Sequence, residues 1–258
     1  AIYVDEVYIS QMSGAGFQLF DMERVEILRG PQGTLFGRNA TGGLAHFVTK
    51  KPTEEMEGYA SLSYGSWNQV KGEAAISGSI ANNISARVSM MGHEGGGYIE
   101  NRVTGVDLNN ANDYAGRLQL LFTPTEELSV LLNIRGAKQN IRTGFFEHAT
   151  AIFPTGEETP GVPNSNLGGY TDTDGDNFAG DYDFQGYNKL RTEGYSATVT
   201  YDFNDDITLT SITDYQLVRR NYIEDSDASP VDYFNFYLTT DAKQFTQELR
   251  RNGKSDKF

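Results

Sequence analysis

From residue 59 onward the chain alternates. Val70, Gly72, Ala74, Ile76, Gly78 and Ile80 fall on one side of an extended segment, and Lys71, Glu73, Ala75, Ser77 and Ser79 on the other. Ile84, Ala86, Val88 and Met90 oppose Ser85, Arg87, Ser89 and Met91; Leu128, Val130, Leu132 and Ile134 oppose Ser129, Leu131, Asn133 and Arg135. Tyr195, Ala197, Val199, Tyr201 and Phe203 oppose Ser196, Thr198, Thr200 and Asp202. Residues two apart share a sheet face, so each segment reads as a strand with one apolar and one polar side. The pattern predicts about eight strands, over 59–65, 69–81, 84–93, 113–123, 128–138, 189–203, 207–220 and 241–250. The seventh alternates poorly and is assigned from its neighbours.

The connections carry as much information. Ala81-Asn82-Asn83, Thr123 to Glu127 and Asn204-Asp205-Asp206 are tight turns, and 94–112, 139–188 and 221–240 are long loops. Short and long connections alternate, as in an up-and-down antiparallel sheet with turns on one rim and loops on the other. Transmembrane barrels have this asymmetry, and they place aromatic residues near strand ends. Tyr64, Tyr98, Tyr114, Phe122, Tyr201 and Phe203 are so placed. A soluble β-sandwich or propeller with one wet face is the competing reading. Strands of ten residues or more count against it.

Residues 1–52 are patterned differently. Ile2-Tyr3-Val4 and Val7-Tyr8-Ile9 precede a Gly/Ser turn at 13–16, a helix-like stretch from Gln18 to Met22 and a strand at Val25–Leu28. A glycine-dense segment, Gly30 to Gly43, leads into a last strand, Ala45–Thr49, and Lys50-Lys51-Pro52 ends the pattern. The whole reads as a small α+β unit.

Composition narrows the chemistry. The 258 residues include no cysteine, so disulfides, thiolate metal sites and Cys nucleophiles are excluded. With 35 acidic against 21 basic side chains the net charge is −14, which repels a phosphate backbone and argues against nucleic acid as a partner. No apolar run approaches the ~20 residues of a spanning helix. The chain starts at Ala1 in strand-like sequence, without a secretion signal's basic and apolar regions.

The glycine-dense segment and its approach, Asp21-Met22-Glu23-Arg24-Val25-Glu26-Ile27-Leu28-Arg29-Gly30-Pro31-Gln32-Gly33-Thr34-Leu35-Phe36-Gly37-Arg38-Asn39-Ala40-Thr41-Gly42-Gly43, resembles the plug signature of TonB-dependent outer-membrane receptors. Tyr3-Val4-Asp5 before it and Val48-Thr49-Lys50-Lys51-Pro52 after it fit the same family, as does the Gln247-Glu248-Leu249-Arg250 strand. The likeness implies the C-terminal part of a plug at 1–52 and the N-terminal part of a transmembrane β-barrel at 53–258, an internal fragment with about eight of some 22 strands. It also implies an uptake receptor in the bacterial outer membrane, of the ferric-siderophore type, energised by TonB and needing no cofactor. Its partners would be TonB, outer-membrane lipid and a scarce small-molecule ligand such as a metal chelate. Arg24, Glu26, Arg29, Gly30, Pro31, Gly33, Gly37, Arg38, Asn39, Gly42 and Gly43 are the plug-motif residues. His46 and Glu6 depart from it, where the family usually has a small polar residue and a glycine. A passive porin-like channel and a soluble all-β carbohydrate-binding protein are the alternatives.

Several residues are candidates for specific roles. Alternation puts Glu248 on the polar side of its strand, and Arg29 with Glu248 is the expected plug–barrel ion pair; the alternative leaves both solvated or bonded locally. A phosphate cradle at Gly30–Gly43 is disfavoured, because the spacing is wrong and no lysine follows. The loop at 141–188 mixes Phe145, Phe146, Phe153, Tyr170, Phe178, Tyr182, Phe184 and Tyr187 with acidic residues, which suits either ligand capture or plain solvation. Asp172, Asp174 and Asp176 have calcium-loop spacing, but the sixth and twelfth positions are Asn177 and Asp183. His46, His93 and His148 are scattered, and no Gly-x-Ser-x-Gly or His-Glu-x-x-His motif occurs, so no enzymatic activity is expected.

Overall fold

The computed structural model describes residues 1–13, 19–36, 39–144, 170, 172, 175–232 and 234–254. At its N-terminal end, β1 (Ile2–Val4), β2 (Val7–Tyr8), β3 (Met22–Arg29) and β4 (Gly43–Thr49) form a sheet in the order β2-β1-β4-β3. Asp5 and Glu6 join β1 to β2 with φ of 49° and 68°, the pair of positive values a two-residue hairpin turn requires. β1 runs parallel to β4, and β3 antiparallel to it. One helical turn, α1 (Gly33–Phe36), sits in the connection from β3 to β4. Tyr3, Ala40 and Leu44 pack with Leu28 and Phe36, and Val4 and Ile9 pack with Ile2 and Phe47.

The expected helix at 18–22 does not form over the described part. Met22 opens β3, and Leu19 to Asp21 are irregular, with Asp21 at φ 52°. Gln18 lies outside the described residues. Phe20 and Asp21 are held against the larger sheet, at 4% and 2% exposure, and that tertiary contact overrides local helix propensity.

The larger sheet follows. Its strands are β5 (Glu57–Gly65), β6 (Gln69–Ala81) and β7 (Ile84–Gly95), then, after two short rim strands β8 (Ile99–Asn101) and β9 (Val106–Leu108), β10 (Ala111–Phe122) and β11 (Leu128–Thr143). Beyond another rim strand, β12 (Ala179–Gly180), come β13 (Gly186–Asn204), β14 (Ile207–Asp225) and β15 (Asn235–Gly253). Eight strands pair in sequence order, each antiparallel to its neighbour, while β8, β9 and β12 form a separate sheet at the loop rim. Several strands outrun the alternating pattern: β11 continues to Thr143, β14 to Asp225, and β15 begins at Asn235. The outer end of β11, Lys138 to Thr143, is mainly polar, so hydrophobic alternation fades there while the backbone ladder continues; β15 instead begins, after Asn235, with Phe236, Tyr237 and Leu238, an apolar run without alternation. At ~3.3 Å per residue and a tilt of ~45°, a nineteen-residue strand rises ~45 Å, more than a ~30 Å hydrocarbon layer.

Register turns alternation into two continuous surfaces. Ile76, Val88, Leu118, Ile134, Tyr195, Tyr215 and Phe245 are consecutive cross-strand partners from β6 to β15. Every one of these seven large apolar side chains is exposed, from 38% for Leu118 to 66% for Phe245. The adjoining row on the opposite face is Ser77, Arg87, Gln119, Asn133, Ser196, Asp214 and Thr246. There Ser77, Arg87, Gln119, Asn133 and Asp214 are buried, none above 4% exposure. The sheet is thus inside out by the standard of a water-soluble protein, with grease outside and charge inside. Among the described residues no helix is long and apolar enough to cross a membrane, which says nothing about crossing by strands.

Candidate functional site

The polar face of the large sheet is buried because the small sheet lies against it, and the groups at that contact are ionic. Arg87 on β7 donates to both oxygens of Asp21, Nε to Oδ2 at 2.7 Å and Nη2 to Oδ1 at 2.6 Å. Its Nη1 reaches Glu57 on β5 at 2.7 Å. The side chains of Arg87 and Asp21 are 1% and 0% exposed, whereas that of Glu57 is half-exposed. The Asp21 backbone N–H also donates to Glu73 Oε1 at 2.9 Å, and Tyr59 hydrogen-bonds the same carboxylate. Burial alone would raise the Asp21 carboxyl. Hydrogen bonds and charge from Arg87, with help from Ser89 and Arg117, reverse that and hold it below its ordinary range.

Neighbouring contacts extend this grip. Arg117 Nη1 donates to the Phe20 carbonyl at 3.1 Å, and its guanidinium lies over the Phe20 ring at 4.6 Å. Gln119 Nε2 donates to Thr49 Oγ1 at 3.2 Å, and Thr49 in turn donates from its backbone N–H and its hydroxyl to the Asp5 carboxylate, both at 2.8 Å. A second grip lies on β15. Gln244 Nε2 donates to the Tyr8 carbonyl at 2.7 Å and its Oε1 accepts from Ser10 N–H at 3.2 Å, while Arg250 pairs with Glu6 at 2.9 Å. Deeper in the wall, Arg135 pairs with Asp214 at 2.6 Å, both buried.

The glycine-dense segment forms a loop tied at its neck. Gly30 N–H donates to the Gly42 carbonyl at 3.3 Å, and Gln32 N–H to that of Ala40 at 2.8 Å. Gly30 has φ +81° and Gly43 φ +135°, and a Cβ on Gly43 would meet the Leu28 carbonyl oxygen at 2.5 Å. Pro31 is exposed, Gly33 opens α1, Gly42 has open space around it, and Asn39 donates to the Tyr8 hydroxyl at 2.9 Å. Gly37 and Arg38 lie outside the described residues. Exposed Arg24 pairs with Glu23 and Glu26 at 2.8 and 2.7 Å, and Glu26 is held below the usual carboxylate range by Arg24 first and His46 second. His46 Nε2 accepts the Glu6 backbone N–H at 3.1 Å, so the proton sits on Nδ1, 3.1 Å from Glu26 Oε2.

The expected pair of Arg29 with Glu248 is not what the side chains make. Arg29 is exposed, and the structure records no ion pair between it and Glu248 among the described residues. Glu248 instead takes Arg250 of its own strand at 2.5 Å, and Arg250 bridges to Glu6. The ionic contacts come from Asp21, just before β3, and Glu6, in the β1–β2 turn, and from Arg87 and Arg250 on the large sheet. Sequence reasoning missed them because Asp21 stood in a supposed helix. The available signal was Arg87, Arg117 and Arg135, three cations on the polar sides of alternating strands.

Residues 145–169, 171, 173 and 174 of the longest loop lie outside the described residues, and with them Phe145, Phe146, His148, Phe153 and Asp174. Tyr182 is buried in a cluster with Ile99, Leu108 and Ala228, and Phe178 is exposed. Asp172 and Asp181 both pair with Arg102, at 2.7 and 2.8 Å, so Asp172 is engaged by a cation of the protein.

A sheet with an apolar exterior, whose charged interior grips a small glycine-looped domain, defines a plugged membrane β-barrel wall. Comparison with known proteins gives the same class. Residues 1–44 match the family model described as TonB-dependent Receptor Plug Domain. The pesticin receptor of Yersinia pestis is 33% identical over 129 residues, which is 49% of this chain and 19% of that protein. Two crystal structures share the fold at TM-score 0.76: the siderophore receptor PiuA from Acinetobacter baumannii, at 16% identity over all of this chain and 35% of that one, and the ferric yersiniabactin uptake receptor FyuA from Yersinia pestis, at 23% over 99% and 37%. The chain therefore spans about a fifth of the curated relative and little more than a third of the two solved receptors. The resemblance to TonB-dependent outer-membrane receptors of the siderophore type, first carried by the Arg-Gly-Pro segment, thus stands on sequence over the plug and on fold throughout. The matched proteins are receptors of the Gram-negative outer membrane.

Proposed function

We propose that this chain supplies a plug domain, residues 1–52, and part of a barrel wall, residues 53–258, to an outer-membrane active-transport receptor. The observation that carries the reading is the pairing of surfaces: an exposed apolar row across seven strands, and behind it a wall whose arginines are engaged by the plug. Both sheet edges, β5 and β15, carry backbone groups that lipid cannot satisfy, so the wall closes through further strands paired to them, toward the roughly 22 of the larger plugged barrels. The ligand is a scarce metal chelate such as a ferric siderophore, taken at the loop-lined mouth. TonB then supplies the work of loosening the plug, since the outer membrane has no nucleotide supply of its own.

An ionic plug–wall contact suits that cycle. Each contact is directional and is lost within a small displacement, whereas a greasy interface would yield gradually. A passive channel would have no use for an occluding domain, and no step in this reading makes or breaks a covalent bond. Uptake of radio-iron chelates by cells expressing the receptor tests it. Accumulation should stop when TonB is deleted or the proton gradient is collapsed. Uptake that persists unchanged in both cases contradicts active transport and returns the passive channel.

A further inference from the structure

Three carboxylates converge at the loop rim, away from the plug. Asp183 precedes β13, Asp225 ends β14 and Asp227 follows it, and one oxygen of each lies within 4.8 Å of the other two. An acidic loop in water would be unremarkable, but Asp225 and Asp227 are only 3% and 5% exposed. Burying like charges together is expensive unless a proton or a cation joins them.

The pattern of hydrogen bonds points to a missing positive group. Asp225 Oδ1 takes the Ala228 N–H at 2.9 Å, but its Oδ2 is buried with no donor among the described residues. Among the described residues Asp183 Oδ1 is likewise buried without a donor, and so is Oδ1 of Asn235, the cross-strand partner of Asp225. Among the described residues no lysine, arginine or histidine pairs with Asp183 or Asp225. The surrounding segment is tied by hydrogen bonds and packing. Asp227 accepts from Ser229 N–H at 3.1 Å and Phe234 N–H at 2.6 Å, Asp183 N–H donates to the Ser229 carbonyl at 3.2 Å, and Ala228 packs into the Ile99, Leu108 and Tyr182 cluster.

We propose that Asp183, Asp225 and Asp227 bind a calcium ion that fastens the segment entering β13 to the loop between β14 and β15. The donors are all hard oxygens, which excludes thiophilic metals and disfavours zinc and copper. Calcium accepts six to eight oxygens in irregular geometry, whereas magnesium demands a near-ideal octahedron and keeps its water. The site is separate from the 172–176 run considered from sequence, where Asp172 is already paired with Arg102. It stands apart from the transport reading, which enters only in placing this rim at the cell exterior.

Calcium alone is the probe, titrated by calorimetry into the EDTA-treated full-length receptor in detergent, alongside thermal unfolding. One saturable calcium should bind and raise the melting temperature. Asp225→Asn and Asp183→Asn should each weaken binding at least tenfold, and Asp205→Asn, in a turn on the opposite rim, should leave it unchanged. If Asp225→Asn fails to fold, Asp183→Asn in the preceding segment carries the test. Absence of saturable binding, or binding unchanged in both variants, overturns the proposal. So does stabilisation by acidification from pH 8 to 5 with none from calcium, which would mean that a shared proton does the work.

Discussion

Replacing Asp21 by alanine strands Arg87. The guanidinium is 1% exposed and makes three charge-assisted bonds, two of them to Asp21; only Glu57, half in water, would remain. Removing one partner of a buried ion pair costs about 3–5 kcal/mol, mostly from the charge left behind. The loss should fall on the plug, measured as urea-induced release of residues 20–49 by hydrogen exchange while the wall keeps its protection. Arg87→Met alone should cost a similar amount, leaving Asp21 bare. The double variant should cost far less than the sum, because no unpaired charge remains. A coupling energy of about 1.5–3 kcal/mol is expected from the cycle. Single losses that add to within about 0.5 kcal/mol would refute the latch. The pH dependence has a fixed sign. Arg87 holds the Asp21 carboxyl below its free value, so the contribution is complete above the unfolded pKa of about 4 and is lost as pH falls further, through the folded value. Plug release that instead sets in between pH 7 and 5 would contradict it.

Other positions give independent readings. Gly43→Ala puts a Cβ 2.5 Å from the Leu28 carbonyl oxygen at φ +135°, and should lower plug stability by more than about 1 kcal/mol in the same exchange measurement, whereas Gly42→Ala, with open space, should be nearly silent. Ile134→Arg on the exposed apolar row should cost about 2–4 kcal/mol in refolding into liposomes, with Thr198→Arg on the opposite, polar face tolerated better. His46→Leu leaves the Glu6 N–H without its acceptor and should cost about 1–3 kcal/mol of plug stability.

What could be read from the sequence, and what could not, has a physical basis. The wall was legible because one face of each strand meets an apolar medium and the other a polar one, so period two persists from Val70 to Leu249. β14 was weakest, and Thr210, Ser211 and Thr213 show why: small polar side chains satisfy either environment and leave no contrast. The outer end of β11 was missed because its residues from Lys138 to Thr143 are mainly polar on both faces, and that of β15 because Phe236, Tyr237 and Leu238 are apolar in a row and give no period of two. The plug loop was legible through Gly30 and Gly43, which need positive φ. Asp21 was not, because its left-handed backbone and its burial are imposed by Arg87, sixty-six residues away. Glu6 is the reverse case. It holds φ 68° where the family usually has glycine, and its side chain gains the pair with Arg250.

The central claim is that even-numbered residues of β11 face lipid while odd-numbered ones, such as Asn133 and Arg135, face the buried polar interior. Spin labels placed singly at residues 130 to 135, in the receptor reconstituted into bilayers, measure this through relaxation by oxygen and by a water-soluble nickel chelate. High oxygen and low nickel accessibility at 130, 132 and 134, with both low at 133 and 135, is the predicted result. Nickel access to 132 and 134 equal to that of a loop position would put this face in water and contradict the account.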